Sequence, residues 1–173
     1  MPRETAVLNA PPMPATGQRS FADLARRVIT ARIFGPLLET GMLKSAKACA
    51  PSLEPAACRD AAWRVVRDGA RTAASVPALL RVMAIGKEFG LEPRHVMDVL
   101  FLRLVKNPVV GHSDAPFFKL EHNVLPAIEK RGREYGWIGE MRESARELDS
   151  TAYRMLADDV QRVKIIARWG REL

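Results

Sequence analysis

Residues 78–106, ALLRVMAIGKEFGLEPRHVMDVLFLRLVK, decide the fold. They read as two helices joined by a tight turn at Gly90-Leu91-Glu92-Pro93. The second helix carries Val96, Met97, Val99, Leu100, Phe101, Leu102, Leu104 and Val105, so it is apolar almost all the way round. A helix of that kind has to be covered on several sides by the rest of the chain. The expectation is a buried spine, with Arg94 and His95 at its accessible end.

Working towards the N-terminus, Ser75-Val76-Pro77 opens this hairpin. The preceding helix is expected from about Pro55 to Ala74, with Ala57, Ala61, Val65 and Val66 on a small-residue face and Trp63 as an anchor. Arg64, Arg67 and Arg71 fall on its other face, where Asp60 and Asp68 sit four residues from Arg64 and predict internal pairing. Pro51-Ser52-Leu53-Glu54-Pro55 reads as a linker. Ser20 and Asp23 form a capping-box-like start for a first helix bearing Phe21, Leu24, Ala25, Val28 and Ile29. Gly35-Pro36 is expected to break it, with Pro36 starting a second helix that carries Leu37, Leu38, Met42 and Leu43. Residues 1–19 are rich in Pro, Ala and Thr and have little apolar surface to bury, which predicts a flexible arm.

Working towards the C-terminus, Asn107-Pro108 ends the spine, since proline pushes Asn107 out of the helical region. A loop from Val109 to about Pro116 is expected next, with Phe117-Phe118 returning to the core. A helix follows around Val124 to Tyr135, ending at Gly136, and then a charged helix from Glu140 to Leu148. Asp149-Ser150-Thr151 supplies an N-cap for a last helix. There Tyr153, Leu156, Val160, Val163 and Ala167 recur by threes and fours, the spacing of a packing seam. Ile165, Ile166 and Trp169 add apolar surface beyond that stripe. No segment alternates with the period of a strand. The fold class is all-α: one helical domain over residues 20–173, of about seven helices in a bundle-like or orthogonal arrangement, behind a flexible N-terminal arm.

The 173 residues suffice for one domain with a sizeable core. No apolar run approaches the roughly 18 to 20 residues that span a bilayer. The N-terminal stretch lacks the apolar segment of a Sec-type signal peptide, so the expected location is cytoplasmic, with export by a specialised secretion system left open. Cys49 and Cys58, the only two cysteines, read as reduced thiols and offer no framework for zinc. The formal net charge of +7 permits a nucleic-acid or acidic-protein partner. Its most basic region is early, at Arg26, Arg27, Arg32, Lys44 and Lys47; elsewhere the two signs are interspersed.

Gly86 and Gly90, with Ile85, Phe89 and Leu91 between or beside them and Val96 and Val99 beyond, have the spacing of a helix-turn-helix. Over about Leu80 to Phe101 the chain resembles helix-turn-helix regulators. That resemblance implies DNA contacts from the outward positions of the second helix, here Pro93, Arg94, Met97, Asp98 and Phe101. Arg94 alone suits phosphates or bases, while Asp98 repels them and Met97 and Phe101 are apolar. The DNA reading therefore rests on Arg94 and His95, with Arg26, Arg27 and Arg32 as phosphate contacts.

Catalytic constellations are weak. Gly111-His112-Ser113-Asp114-Ala115 has the outline of a nucleophile elbow, but no strands exist to hold its serine on a strained turn. His112, Asp114, Glu121 and His122 lack metal-ligand spacing, and no glycine-rich phosphate loop is present. Asp98, alone on an apolar helix, is expected to pair with Arg94 or Arg103. The sequence thus predicts a non-enzymatic protein without cofactor or metal that binds another macromolecule, first of all a protein. Tyr153, Ile165, Ile166 and Trp169 are the expected contact residues, and a homodimer is compatible with them. An arm ahead of a helical domain also suits an exported bacterial effector or an accessory protein of a secretion or mobile-element system. The second reading is a DNA-binding regulator using residues 80–101.

Overall fold

The computed structural model describes residues 21–73, 75–106, 123–150 and 157–173. These form eight α-helices and no strand: α1 (Phe21–Glu39), α2 (Leu43–Cys49), α3 (Pro55–Thr72), α4 (Val76–Glu88), α5 (Pro93–Lys106), α6 (Leu125–Tyr135), α7 (Ile138–Ser150) and α8 (Ala157–Glu172). A short 3₁₀ turn, Ala50–Ser52, links α2 to α3. The all-α class is as expected. The arm at 1–19, the loop at 109–116 and Phe117-Phe118 lie outside the described residues, as does Thr151; Asp149 and Ser150, expected with it to cap the last helix, instead end α7.

α5 is the spine. Val96, Met97, Leu100, Phe101 and Val105 are all at or below 1 % exposure, and the helix packs against α3, α4, α7 and α8. Complete burial of side chains this size stabilises by about 1.5–3 kcal/mol each, so this one helix concentrates a large share of the hydrophobic driving force. Phe101 meets Trp169 of α8 edge to face, with ring centroids 5.6 Å apart. At the lower end of α5, Arg162 of α8 donates from Nη1 to the carbonyl oxygen of Val105 at 2.9 Å, so a charged side chain closes a helix C-terminus.

Small residues set the helix–helix approaches. A Cβ at Gly170 would come 2.5 Å from Cβ of Ala145, which lets α8 lie close on α7. Turns close in one way at several places. The N–H of Met42 donates to the carbonyl of Leu37 at 2.8 Å, and that of Leu91 to Gly86 at 2.9 Å. In both, the intervening glycine (Gly41 at φ +79°, Gly90 at φ +61°) occupies the left-handed region. This is the Schellman closure, which satisfies the orphan carbonyls of a helix end.

The break expected at Gly35-Pro36 is not there. α1 runs through Pro36 to Glu39, and the chain turns at Gly41 instead. Pro36 is exposed, so the hydrogen bond its missing N–H removes lies on the solvent side, where losing it costs least. Phe34 and Leu38 flank it at helical spacing, and both are buried; their burial holds the segment helical across the proline. The charged helix also proves longer than expected at both ends, taking in Ile138 and Ser150.

Candidate functional site

The outward end of α5 is bound into the fold. Arg94 Nε donates to Asp98 Oδ1 at 2.9 Å, Nη1 donates to Glu143 Oε2 at 3.2 Å, and Nη2 pairs with Glu147. Ser144 Oγ donates to the same Asp98 oxygen at 2.6 Å. The hydrogen bond to Asp98 holds the Arg94 guanidinium above its ordinary pKa; burial opposes this, and the charges of Asp98, Glu147 and Glu143 add to it. The expected Arg94–Asp98 pair is formed, and it belongs to a network that ties α5 to α7. Met97 and Phe101 lie under neighbouring helices. The face that a helix-turn-helix would insert into a DNA groove is therefore covered. His95 is exposed, its ring 6.3 Å from that of Trp63.

α8 places its apolar residues inward. Ile166 is fully buried and Trp169 nearly so, and Ile165 is half-buried against the core. Tyr153 lies outside the described residues. The surplus apolar residues of this helix are covered by α5 and α7 and leave little open surface. His112, Asp114, Glu121, His122 and the Gly111–Ala115 segment also lie outside the described residues. Among the described residues no three His, Cys, Asp or Glu side chains gather as a metal site, and no helix is long and apolar enough to cross a membrane.

The open apolar surface is on α1. From Phe21 to Ile29 every side chain is exposed except Ala25, which is half-buried. Phe21 is 89 % exposed, Leu24 54 % and Ile29 60 %. Only from Thr30 onward does the helix meet the body, through Thr30, Phe34 and Leu38. Phe34 packs edge to face on Phe89 at the end of α4, centroids 5.3 Å apart. Among the described residues, the nine from Phe21 to Ile29 thus extend from an anchored base with little cover, although a helix that short is marginal in water by itself.

The chemistry of this projection is mixed around its axis. Phe21, Leu24, Val28 and Ile29 stand at i, i+3, i+7 and i+8 and share one side, which Ile33 continues. Asp23, Arg26 and Arg27 lie on the other side, while Arg32, also exposed, falls on the apolar side one turn beyond Val28. Arg26 lies 3.8 Å from Asp23, an exposed pair; Arg27 and Arg32 make no ion pair among the described residues. A helix that lies in a lipid interface segregates one apolar face from one charged face. Here Arg32 stands in the middle of the apolar side, beside Val28 and Ile29, where a lipid interior would bury its charge. The periodicity of Phe21, Leu24, Val28 and Ile29 is plain in the sequence; that it faces outward is not. The one available signal was Arg32, which shares the side of Val28 and Ile29, so that burying this face would also bury a charge.

No protein family matches the chain, and no curated protein or solved structure matches it.

Proposed function

We propose that this protein acts by binding another protein, and that the exposed N-terminal half of α1 is the docking element. The observation that carries this is the apolar side at Phe21, Leu24, Val28 and Ile29, exposed among the described residues on a helix anchored by Phe34 and Leu38. The mode is helix-in-groove: an apolar groove takes the side chains, and the docking energy offsets the cost of ordering the projection. Arg27 and Arg32 call for an acidic rim on the partner. That same charge, with +7 over the whole chain, disfavours a second copy as the occupant, because two such helices would bring arginine against arginine.

A photo-crosslinking residue at position 24 of the full chain tests this in the native host's extract, with the same probe at exposed Arg146 of α7 as a control. The expected result is one dominant adduct with an acidic protein, absent at position 146 and lost when Arg27 and Arg32 are both changed to Glu. Crosslinks confined to residues of the same chain would overturn it, as would uptake of α1 by anionic vesicles. The DNA-regulator reading through residues 80–101 has less support, because the groove-facing positions Met97 and Phe101 are core. Titration of random duplex DNA at low salt separates the two readings, since phosphate binding falls steeply as salt rises.

A further inference from the structure

A second feature, independent of α1, lies where the C-terminal turns of α3 and α5 run side by side. They enclose an open cleft of about 840 Å³, within the size range of small-molecule sites. Among the described residues, Arg67 and Arg71 line it from α3, and Arg103 and Lys106 from α5, against a single carboxylate, Asp68. Arg67 is paired with Asp68 at 3.6 Å. Arg71, Arg103 and Lys106 make no ion pair among the described residues.

One bland explanation is that these cations only complement two helix C-termini. Each helix end is worth about half a negative charge, so two ends offset roughly one cation. Arg103 does close α3 in this way, donating from Nε at 3.3 Å and Nη2 at 2.9 Å to the carbonyl of Ala73. Its Nη1, however, is buried with no hydrogen-bond partner, and burial pushes the guanidinium below its ordinary pKa. A half-buried guanidinium with one nitrogen unpaired, and no carboxylate against it among the described residues, is stabilised when an anion approaches. The apolar lining has its own anomaly. Leu102, beside half-buried Val99, is 39 % exposed, and it is a large exposed hydrophobic residue set apart from α1 and the turn that follows it.

We infer that this cleft binds a phosphate-bearing amphiphile, its dianionic head held by Arg67, Arg71, Arg103 and Lys106 and its apolar portion resting on Val99 and Leu102. A phosphate monoester fits better than a carboxylate because the surplus exceeds one charge after Asp68 and the helix ends are allowed for. Guanidinium groups also match phosphate oxygens in forked geometry.

Calorimetric titration of the full chain with n-decyl phosphate, decanoate and inorganic phosphate tests the inference. Decyl phosphate should bind at least about tenfold more tightly than either of the others, since it alone engages both the cations and the apolar wall. Arg71→Gln with Lys106→Gln should weaken it by about tenfold or more, and both residues are exposed, so the fold survives the change. Leu102→Ser should erase the advantage over inorganic phosphate. Phe21→Ser with Leu24→Ser, which disables the α1 projection, should leave binding unchanged, and this separates the cleft from the docking helix. Equal affinity for decanoate and decyl phosphate would overturn the inference, as would wild-type binding by the Arg71/Lys106 variant or loss of binding in the Phe21/Leu24 variant. Vesicles containing phosphatidic acid decide the source: uptake abolished by the Arg71/Lys106 change assigns a lipid head group, and binding of soluble decyl phosphate without uptake assigns a free organophosphate.

Discussion

A Cβ placed on Gly86 would lie 2.9 Å from Cγ2 of Val96 and 3.4 Å from the Trp137 ring. The two helices of the 78–106 hairpin therefore touch where α4 carries no side chain. The glycine that gives this stretch its helix-turn-helix spacing is accounted for by close packing, without DNA. Gly86→Ala gains about 1 kcal/mol of helix propensity but overpacks a contact, which typically costs about 1–3 kcal/mol. The expected outcome is a net loss of about 1 kcal/mol in urea denaturation. Combining it with Val96→Ala should recover part of that loss, giving a coupling energy of about 0.5 kcal/mol or more. Strict additivity of the two changes would show that the approach is not what requires glycine.

Arg94 reaches three carboxylates, Asp98 on its own helix and Glu143 and Glu147 on α7. Its side chain is 22 % exposed, while those of Glu143 and Glu147 are 66 % and 69 % exposed, so solvent screens much of the attraction. Arg94→Gln should cost about 1 kcal/mol and leave three carboxylates facing one another. High salt should shrink the difference from wild type, because the screening length falls to about 3 Å at 1 M, the scale of these contacts. A loss that does not change with salt would mean that packing of the Arg94 stem, rather than its charge, joins α5 to α7.

Leu24 and Leu38 occupy one helix, yet one is 54 % exposed and the other fully buried. Leu38→Ala should destabilise by about 2–5 kcal/mol, the range for a core leucine. Leu24→Ser should fall within about 0.5 kcal/mol of wild type. Denaturation of the two variants without any partner checks both. A large loss at Leu24 would show that the projection packs on this chain, which would remove the basis for docking through α1.

The fold was legible where one helix had to satisfy the whole chain. The spine at 96–105 is apolar almost all the way round, so it had to be covered on several sides, and the lack of strand periodicity elsewhere left only helices to cover it. Gly90 and Gly136 punctuated the chain as their side-chain-free backbones allow. Gly35-Pro36 misled because the cost of proline depends on which side of the helix loses its hydrogen bond, and that is settled only by the burial of Phe34 and Leu38. The pairing expected of Arg64 with Asp60 or Asp68 did not form; Asp68 instead pairs with Arg67. Spacing gives proximity on a helix, while the rotamers that decide a surface pair depend on neighbours such as α5. The cleft was illegible for a related reason. It joins Arg67 and Arg71 to Arg103 and Lys106, more than thirty positions along the chain, and only the packing of α3 on α5 brings them together. The apolar run of α8 looked like spare surface because its sequence does not reveal that Phe101 and Ala145 cover it.

Cys58 and Cys49 provide a last test of how the 3₁₀ turn seals the start of α3. Cys58 is 6 % exposed and its Sγ lies 3.7 Å from the Ala50 carbonyl oxygen, positioned to donate to it. Cys49 is half-buried. Burial pushes the Cys58 thiol above its ordinary pKa, because the thiolate is the form that loses hydration. A thiol whose pKa rises on folding favours the folded state at pH values below its unfolded pKa, and that contribution fades as pH rises through the unfolded and then the folded value. Stability should therefore decline above about pH 8.5, the ordinary thiol pKa, and Cys58→Ala should flatten that decline. In native protein at pH 8, iodoacetamide should modify Cys49 first, with Cys58 slower by about tenfold or more because thiolate is the reactive form. Equal labelling of the two thiols under native conditions would show that the turn at Ala50–Ser52 opens readily and that the seal over α3 is loose.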